Sequence, residues 1–258
     1  MITYYIICAL VGYLIGSIPF GYIIVKLAKG IDIRTVGSGN IGATNVARVL
    51  GLFGGVICFL LDLLKGLIPV IAANILFLLK ILPPTDWCDT NEVCVVILQQ
   101  YSIFYPSIIG LSVILGHLFP VYLRFKGGKG VATALGVFLI LAPSSTCIAV
   151  IFWILLVLIF RYVSLASILA SISLPITYWF ISFQQHLLKN ANDIFMTGWI
   201  SWASDILPWV PFLPIMFMCI LAPILIIIRH IPNIKRLITG TEPKVNFKRS
   251  KDDKTLNL

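Results

Sequence analysis

The chain has 258 residues, of which 59% are hydrophobic and only 11% charged, and its formal net charge is +9. Its mean hydropathy is +1.02, whereas soluble domains sit nearer half apolar and a quarter charged, so a water-soluble globule of this size would lack polar surface. No separate basic domain exists to hold a duplex, so the positive charge does not point to nucleic acid.

The composition predicts an all-α integral membrane protein built as one domain over residues 1–258, with a basic tail from about 240 to 258. The opening stretch has no basic n-region and an apolar run longer than the roughly 7–15 residues of a signal peptide, so it reads as a retained first span. Seven apolar spans follow one another, roughly 3–25, 53–79, 105–123, 131–146, 147–160, 165–183 and 212–229. The fourth and fifth are short against the ~20 residues that cross a hydrocarbon core, and Pro143-Ser144-Ser145 is the expected turn between them. Within the second span Asp62 and Lys65 stand at i, i+3, a spacing that permits an intrahelical pair.

All but three of the 19 basic residues fall after spans one, three and five or in the C-terminal tail. The exceptions are Lys65, Lys80 and Lys189. Basic loops stay in the cytoplasm, which predicts a seven-transmembrane-helix bundle with its N-terminus outside and its C-terminus cytoplasmic, in a bacterial inner membrane. The outer side then carries two longer loops, about 80–104 and 184–211, the first holding Cys88 and Cys94. An oxidising compartment allows a disulfide between them. The other cysteines lie in apolar runs, no CxxC occurs, and the three histidines are far apart in sequence. No metal site is expected.

Three polar segments interrupt the apolar pattern, all on the predicted cytoplasmic side. The first runs Gly37-Ser38-Gly39-Asn40-Ile41-Gly42-Ala43-Thr44-Asn45 and ends in Arg48. It formally matches GxGxxG, with Asp62 twenty residues beyond Gly42. A dinucleotide reading fails, because the motif needs a strand–turn–helix unit and Asp62 sits inside a span. The physics survives: glycines let amides turn inward, a helix starting near Ala43 presents its positive end, and Arg48 can take a phosphate bidentately. The second segment, Gly127-Gly128-Lys129-Gly130 before span four, repeats this design without a Walker A motif. Alone it would read as a tight positive-inside connection; beside the first segment it reads as anion binding. In the third, His230 and Asn233 face one way if the helix continues, whereas Pro232 can instead begin a new turn. Ser164 and Ser167, at the start of span six, are in place to bond a phosphate or simply to let helices pack closely.

No GxSxG elbow and no HxxxxD motif occurs, and near the glycine-rich loops the carboxylates are Asp32 and Glu242. An enzyme built this way lacks an evident nucleophile and base, so its substrate must arrive activated. A transporter or flippase for a phosphorylated solute or lipid would also want cationic sites. Such proteins place them near the midplane, often with internal repeats, not at one membrane face. A non-catalytic anion-sensing scaffold fits less well, given how many polar groups share that face.

SGNIGATNVAR (38–48), GGKGVAT (127–133) and HIPNIKRL running on to Gly240, Glu242 and Lys244 resemble the three cytoplasmic motifs of the bacterial acyl-phosphate:glycerol-3-phosphate acyltransferase family (PlsY). GSIPFGY, LDLLKG, GHLFPVYLRFKGGKG and RYVSLAS extend the resemblance over most of the chain, while the two outer loops look longer than the family's. The resemblance implies acyl transfer from acyl phosphate to the 1-hydroxyl of sn-glycerol 3-phosphate, giving lysophosphatidic acid and inorganic phosphate in phospholipid synthesis. It implies no cofactor, no metal and no obligatory protein partner, only the two substrates and membrane lipid. Carried over residue by residue, it implies catalytic roles for Ser38, Arg48, Lys129, His230 and Asn233. Gly39, Asn40, Gly42, Thr44, Asn45, Gly127, Gly128 and Gly130 would bind substrate, with Ser164 or Ser167, Ser164 being preferred.

Overall fold

A computed structural model describes residues 2–79, 103–188 and 212–245, with backbone alone for 185–188. Cys88, Cys94, most of the two longer loops and the tail beyond residue 245 lie outside the described residues. Nine α-helices make up the described residues: α1 (Ile2–Ser17), α2 (Phe20–Lys29), α3 (Ala43–Leu78), α4 (Phe104–Leu118), α5 (Val131–Leu141), α6 (Pro143–Phe160), α7 (Val163–Leu188), α8 (Phe212–Arg229) and α9 (Ile231–Ile238). Short 3₁₀ turns at Ile33–Thr35 and Val121–Leu123 join them, and no strand occurs among the described residues. Helices satisfy their own backbone within lipid, which is why an apolar chain of this kind folds this way.

Among the described residues six stretches are long and apolar enough to cross a membrane: Ile2–Lys29, Ala43–Leu78, Phe104–Leu123, Pro143–Phe160, Val163–Gln184 and Phe212–Arg229. Helix α5 has 11 residues, roughly 16 Å of rise against a core of about 30 Å. Helix α5 therefore ends at Leu141, five residues before the expected span edge at 146, and α6 begins at Pro143. Ala142 leaves helical geometry (φ −146, ψ 62), and Pro143-Ser144-Ser145 form the first turn of α6 and not a loop. The reason is Pro143, which has no N–H to continue α5 and suits the first position of a new helix.

Two other breaks shape the bundle. Pro19 divides the first span, and at the break the carbonyl of Ile18 accepts a hydrogen bond from Lys65 Nζ at 2.8 Å. The second predicted span starts ten residues earlier than expected, at Ala43, because Gly51 (φ 77, ψ 177) separates a short helix bearing Thr44 and Arg48 from the crossing. The Asp62–Lys65 pair forms as the spacing suggests, at 2.8 Å, with both side chains buried.

Residues such as Val70, Tyr105, Ile114, Val137 and Met218 form the main core between α3, α4, α5 and α8. Helices α3 and α5 cross so closely that an added Cβ at Gly66 would lie 2.2 Å from the Thr133 carbonyl, and one at Gly136 2.1 Å from that of Leu63. Small residues at such crossings let backbones approach where no hydrophobic effect drives association. Leu64, one position from the crossing, is exposed to the lipid.

Gly136→Ala should therefore cost about 1–3 kcal/mol and lower the melting temperature in detergent by roughly 3–10 °C. Leu64→Ala, on the lipid side, should change it by much less. Equal melting temperatures for the two variants would contradict the packing described here.

Candidate active site

The first glycine-rich loop is wound around one side chain. Asn45, 1% exposed, accepts from the Ser38 N–H at 2.8 Å and donates to the carbonyls of Val36 (3.0 Å) and Asn40 (2.9 Å), with Ile33 at 3.3 Å. Gly37 and Gly39 have φ of +61 and +70, and a Cβ on Gly37 would meet Asn45 Oδ1. The loop begins at a 3₁₀ turn that Asp32 caps by accepting the Arg34 N–H at 2.9 Å. The Arg34 guanidinium, hydrogen-bonded to the same carboxylate, holds Asp32 below the usual carboxylate range. Helix α3 then starts after Gly42, and Arg48 lies exposed on its second turn.

The second loop follows α4. Gly128 donates its N–H to the His117 carbonyl at 3.1 Å, and a Cβ on Gly128 would fall 2.2 Å from His117 Nε2. Beneath it runs a buried polar chain. Thr133 Oγ1 is 3.1 Å from His117 Nδ1, which is 3.6 Å from the Asp62 carboxylate that pairs with Lys65. From the other side Arg229, at the end of α8, donates from Nε to the Gly128 carbonyl at 3.0 Å and from Nη2 to that of Gly127. Gly130 (φ +81) caps α5, and Lys129 is held between these anchored residues.

The third segment gathers around Glu242, whose side chain is 7% exposed. Ser164 Oγ and Asn233 Nδ2 both donate to Oε1 at 2.7 Å, and Arg236 Nε donates to Oε2 at 2.7 Å. Burial raises the Glu242 pKa, but these three donors outweigh it and keep the carboxyl below its usual range. His230, 1% exposed, caps α9 and places Nδ1 2.8 Å from the Ile226 carbonyl. A carbonyl only accepts, so Nδ1 carries the proton and Nε2 is the free acceptor. Burial, then the Lys129 charge, pull His230 down to about 4, so the ring is neutral at pH 7.

The three segments meet at Lys129. Burial lowers its pKa to about 8, Glu242 opposing and Arg236, Arg48 and Arg229 reinforcing the shift. Three arginines and one carboxylate, itself already bonded three times, thus act on Lys129 among the described residues. No side chain caps α3, α5 or α9, so their first amides add positive potential. A cavity of about 250 Å³ opens beside this cluster. Its lining, including Val131, Phe138, Trp153, Leu174 and Ile226, is apolar apart from Thr146, Ser167 and Ser171. A separate groove of about 470 Å³ between α1 and α3 touches none of these site residues, and Ile7, Val11 and Ile68 in its wall are exposed towards lipid.

Arg48, Lys129, Ser164, His230 and Asn233 thus come together, with Gly127, Gly128 and Gly130 forming the floor. Ser38, Gly39, Asn40, Gly42 and Thr44 lie on the first loop, and among the described residues no hydrogen bond or ion pair joins their side chains to the other two segments. Asn45 is occupied in holding its own loop. Ser167 bonds the Val163 carbonyl at 2.8 Å and accepts from Trp153 Nε1 at 3.1 Å, in the lining of the apolar cavity. The break before α9 follows the Pro232 alternative, with His230 at the cap and not on a continuing helix. Glu242, Arg236 and Arg229 were not among the expected site residues; the signal for Glu242 is that it is the sole carboxylate in a basic segment. Among the described residues no group of three or more His, Cys, Asp or Glu forms a candidate metal site.

The glycerol-3-phosphate acyltransferase family model matches residues 6–240. A glycerol-3-phosphate acyltransferase of Aquifex aeolicus is 41% identical over 230 residues, covering 89% of this chain and 93% of its own. One from Prochlorococcus marinus is 38% identical over 234 residues, with 91% and 94% covered. The crystal structure of PlsY (YgiH), an integral membrane glycerol 3-phosphate acyltransferase, in its glycerol 3-phosphate form, superposes with a TM-score of 0.65 at 38% identity, covering 94% of this chain and 96% of the other. Its lysophosphatidic acid form gives 0.63 at 37% identity. A membrane-spanning helical bundle with these motifs, matched over nearly its whole length, belongs to the glycerol-3-phosphate acyltransferase family.

Proposed function

We propose that the protein transfers a fatty acyl group from an acyl phosphate to the 1-hydroxyl of sn-glycerol 3-phosphate, yielding lysophosphatidic acid and inorganic phosphate. The carrying observation is a juxtaposition: a cationic cluster centred on Lys129 beside an apolar cavity that begins at Val131 and Ile226. An acyl phosphate has the same two halves, and glycerol 3-phosphate supplies a second phosphate for the surplus charge. The reaction sits at the cytoplasmic face of a bacterial inner membrane in a seven-helix topology, with α5 as the short helix and the N-terminus outside. Lys129 precedes α5 and Ser164 follows α6, and both reach Glu242, so α5 and α6 leave and return to one end of the bundle.

The acceptor oxygen attacks the acyl carbonyl, the acyl–oxygen bond to phosphorus breaks, and phosphate departs with the bonding pair. The proton has few destinations. His230 sits near 4 and Glu242 is held low by three donors, whereas a phosphate monoester has its second pKa near 6. The donor's own phosphate is therefore the proposed proton acceptor. The protein's work is then to hold two anions together and stabilise charge. Arg48 and Lys129 take phosphate oxygens, His230 Nε2 accepts from the glycerol hydroxyl, and Ser38 and Asn40 orient the acyl carbonyl. Glu242 is a positioning residue that holds Ser164, Asn233 and Arg236.

Purified protein with palmitoyl phosphate and labelled glycerol 3-phosphate should form lysophosphatidic acid with EDTA present and with no acyl-CoA or acyl carrier protein. A magnesium requirement would sink this reading. Arg48→Ala and Lys129→Ala should each lower kcat/KM by on the order of 100-fold, and Arg48→Lys should recover little, because an ammonium lacks the planar fork. Lys26, which bonds the Gly30 carbonyl at 2.8 Å on the loop before the motifs, is the control, and alanine there should leave activity within about twofold.

Lys129 also sets a pH limb. It is charged below about 8 and neutral above, so kcat/KM should fall as pH rises through that value. Lys129→Arg should push the fall to higher pH even where it lowers the maximum. A profile flat from pH 7 to 10 would show that the Lys129 charge is not needed.

The two serines give a further contrast. Ser164→Ala removes a donor from Glu242 and should cost roughly tenfold in kcat/KM, as expected for a bond to a charged group. Ser167→Ala loosens Trp153 and should change turnover little. The reverse ranking would mean that Ser167 is the serine that serves the site.

A further inference from the structure

We propose that Arg229 is a positioning residue for the transfer reaction, acting through Lys129 by turning the carbonyls of the Gly127-Gly128 loop away from the bound phosphate. The proposal rests on the reading above for the identity of the substrate. Its geometry stands on the loop alone.

Carbonyl oxygens repel an anion as strongly as amides attract one, so an anion-binding loop must send the two in different directions. The peptide group is planar and trans, which makes the carbonyl of one residue and the N–H of the next point oppositely. Arg229 lies between α8 and this loop, with Nε on the Gly128 carbonyl at 3.0 Å and Nη2 on that of Gly127. Its guanidinium also stands over the Phe119 ring, 5.6 Å from the centroid. Drawing the Gly127 carbonyl towards α8 sends the Gly128 N–H the other way, where the His117 carbonyl accepts it at 3.1 Å. Drawing the Gly128 carbonyl the same way turns the Lys129 N–H away from α8. Among the described residues no acceptor takes that N–H or the next one, of Gly130. The loop thus turns the Gly127 and Gly128 carbonyls to one side and the Gly128 and Lys129 amides to the other.

Only a fork does this. A lysine at position 229 is a point charge and cannot hold two carbonyls in one plane. His230 follows Arg229 directly, and its ring is close enough to Lys129 for that charge to depress its pKa. The same clamp therefore fixes the spacing between the ammonium and the imidazole. His117 holds the loop from below, its ring filling the place where a Gly128 side chain would stand.

A double-mutant cycle separates positioning from direct contact. Wild type, Arg229→Lys, Lys129→Ala and the double variant are compared for kcat and for KM of palmitoyl phosphate and glycerol 3-phosphate, with melting temperatures recorded for each. Arg229→Lys should raise KM about tenfold for whichever substrate Lys129→Ala weakens, with kcat changed less. In the Lys129→Ala background it should add under about twofold, since neighbours acting through one group are not additive. Phe119→Leu, which removes the ring and no charge, should give a smaller rise that also disappears without Lys129. It serves if Arg229→Lys lowers the melting temperature. Full multiplication of the two single effects would overturn the proposal and make Arg229 a direct phosphate ligand, and an unchanged KM in Arg229→Lys would overturn it as well. Should the wild type form no product, the acyl-transfer reading fails by itself. The glycerol 3-phosphate dissociation constants of the same four proteins, measured by calorimetry, then decide the positioning role by the same rule.

Discussion

A carboxylate buried among helices in lipid is costly unless its partners are fixed, and Asp62, 3% exposed, is such a group. Lys65 meets it at 2.8 Å and His117 at 3.6 Å, while Lys65 also reaches the Ile18 carbonyl and Thr133 touches the same histidine. Five segments are tied by this chain: the break between α1 and α2, then α3, α4, the Gly127-Gly128 loop above His117, and α5. Losing one partner would leave a charge uncompensated in a medium that offers no water. The chain therefore acts as a register pin for the bundle, and the loop carrying Lys129 is built on top of it.

Above that pin the electrostatics divide into two parts with different tasks. Glu242 is fully engaged and low in pKa, so it neither binds an anion nor takes a proton; it draws Ser164 of α7 and Asn233 and Arg236 of α9 into one cluster. Lys129 is the reverse case. Buried among Arg48, Arg229 and Arg236, it is repelled on most sides and stays charged only up to about pH 8. A cation held in that condition gains most from an arriving phosphate. His230, neutral for related reasons, cannot compete for that phosphate and keeps Nε2 available as an acceptor. Burial, reinforced by neighbouring positive charge, thus tunes both residues.

Hydropathy made the all-helical membrane fold legible, because long apolar runs have few other solutions. Element edges were less so. Pro143 was visible as a breaker, yet periodicity could not say whether it closed α5 or opened α6; its missing N–H decided the matter at Ala142. Gly51 looked like one glycine among many in an apolar run, and nothing local marks it as the point where the helix bearing Arg48 departs from the crossing. In the candidate site, glycine spacing and basic residues single out Lys129 and Arg48, which the fold brings within electrostatic reach of each other. The type and motif position of Asn45 suit a ligand as well as they suit a loop hub, and only the fold shows the four bonds it makes to its own loop. Glu242 and Arg229 act across the fold, on partners 78 and 101 residues away in sequence. No local pattern carries such pairings.

The helix breaks explain why the chemistry collects where it does. Each polar segment of the site runs straight into the start of a helix: α3 after Gly42, α5 after Gly130, α7 at Val163 and α9 after His230. Each start has amides that the helix itself cannot use. At α3, α5 and α9 no side chain covers them, which in an apolar setting is a deficit that needs an answer. Polar side chains could have supplied it, as Asp32 does for its own small turn. Glycine at two of the three caps and a neutral histidine at the third instead leave those amides to be met from outside the chain. A phosphate has the chemistry that suits such amides and the side-chain cations, and the proposed acyl chain in the neighbouring cavity would hold it at the membrane edge. A free phosphorylated solute would satisfy the amides but leave the cavity unused, and a simple lipid would fill the cavity but not the amides. The proposed donor is the kind of molecule that does both.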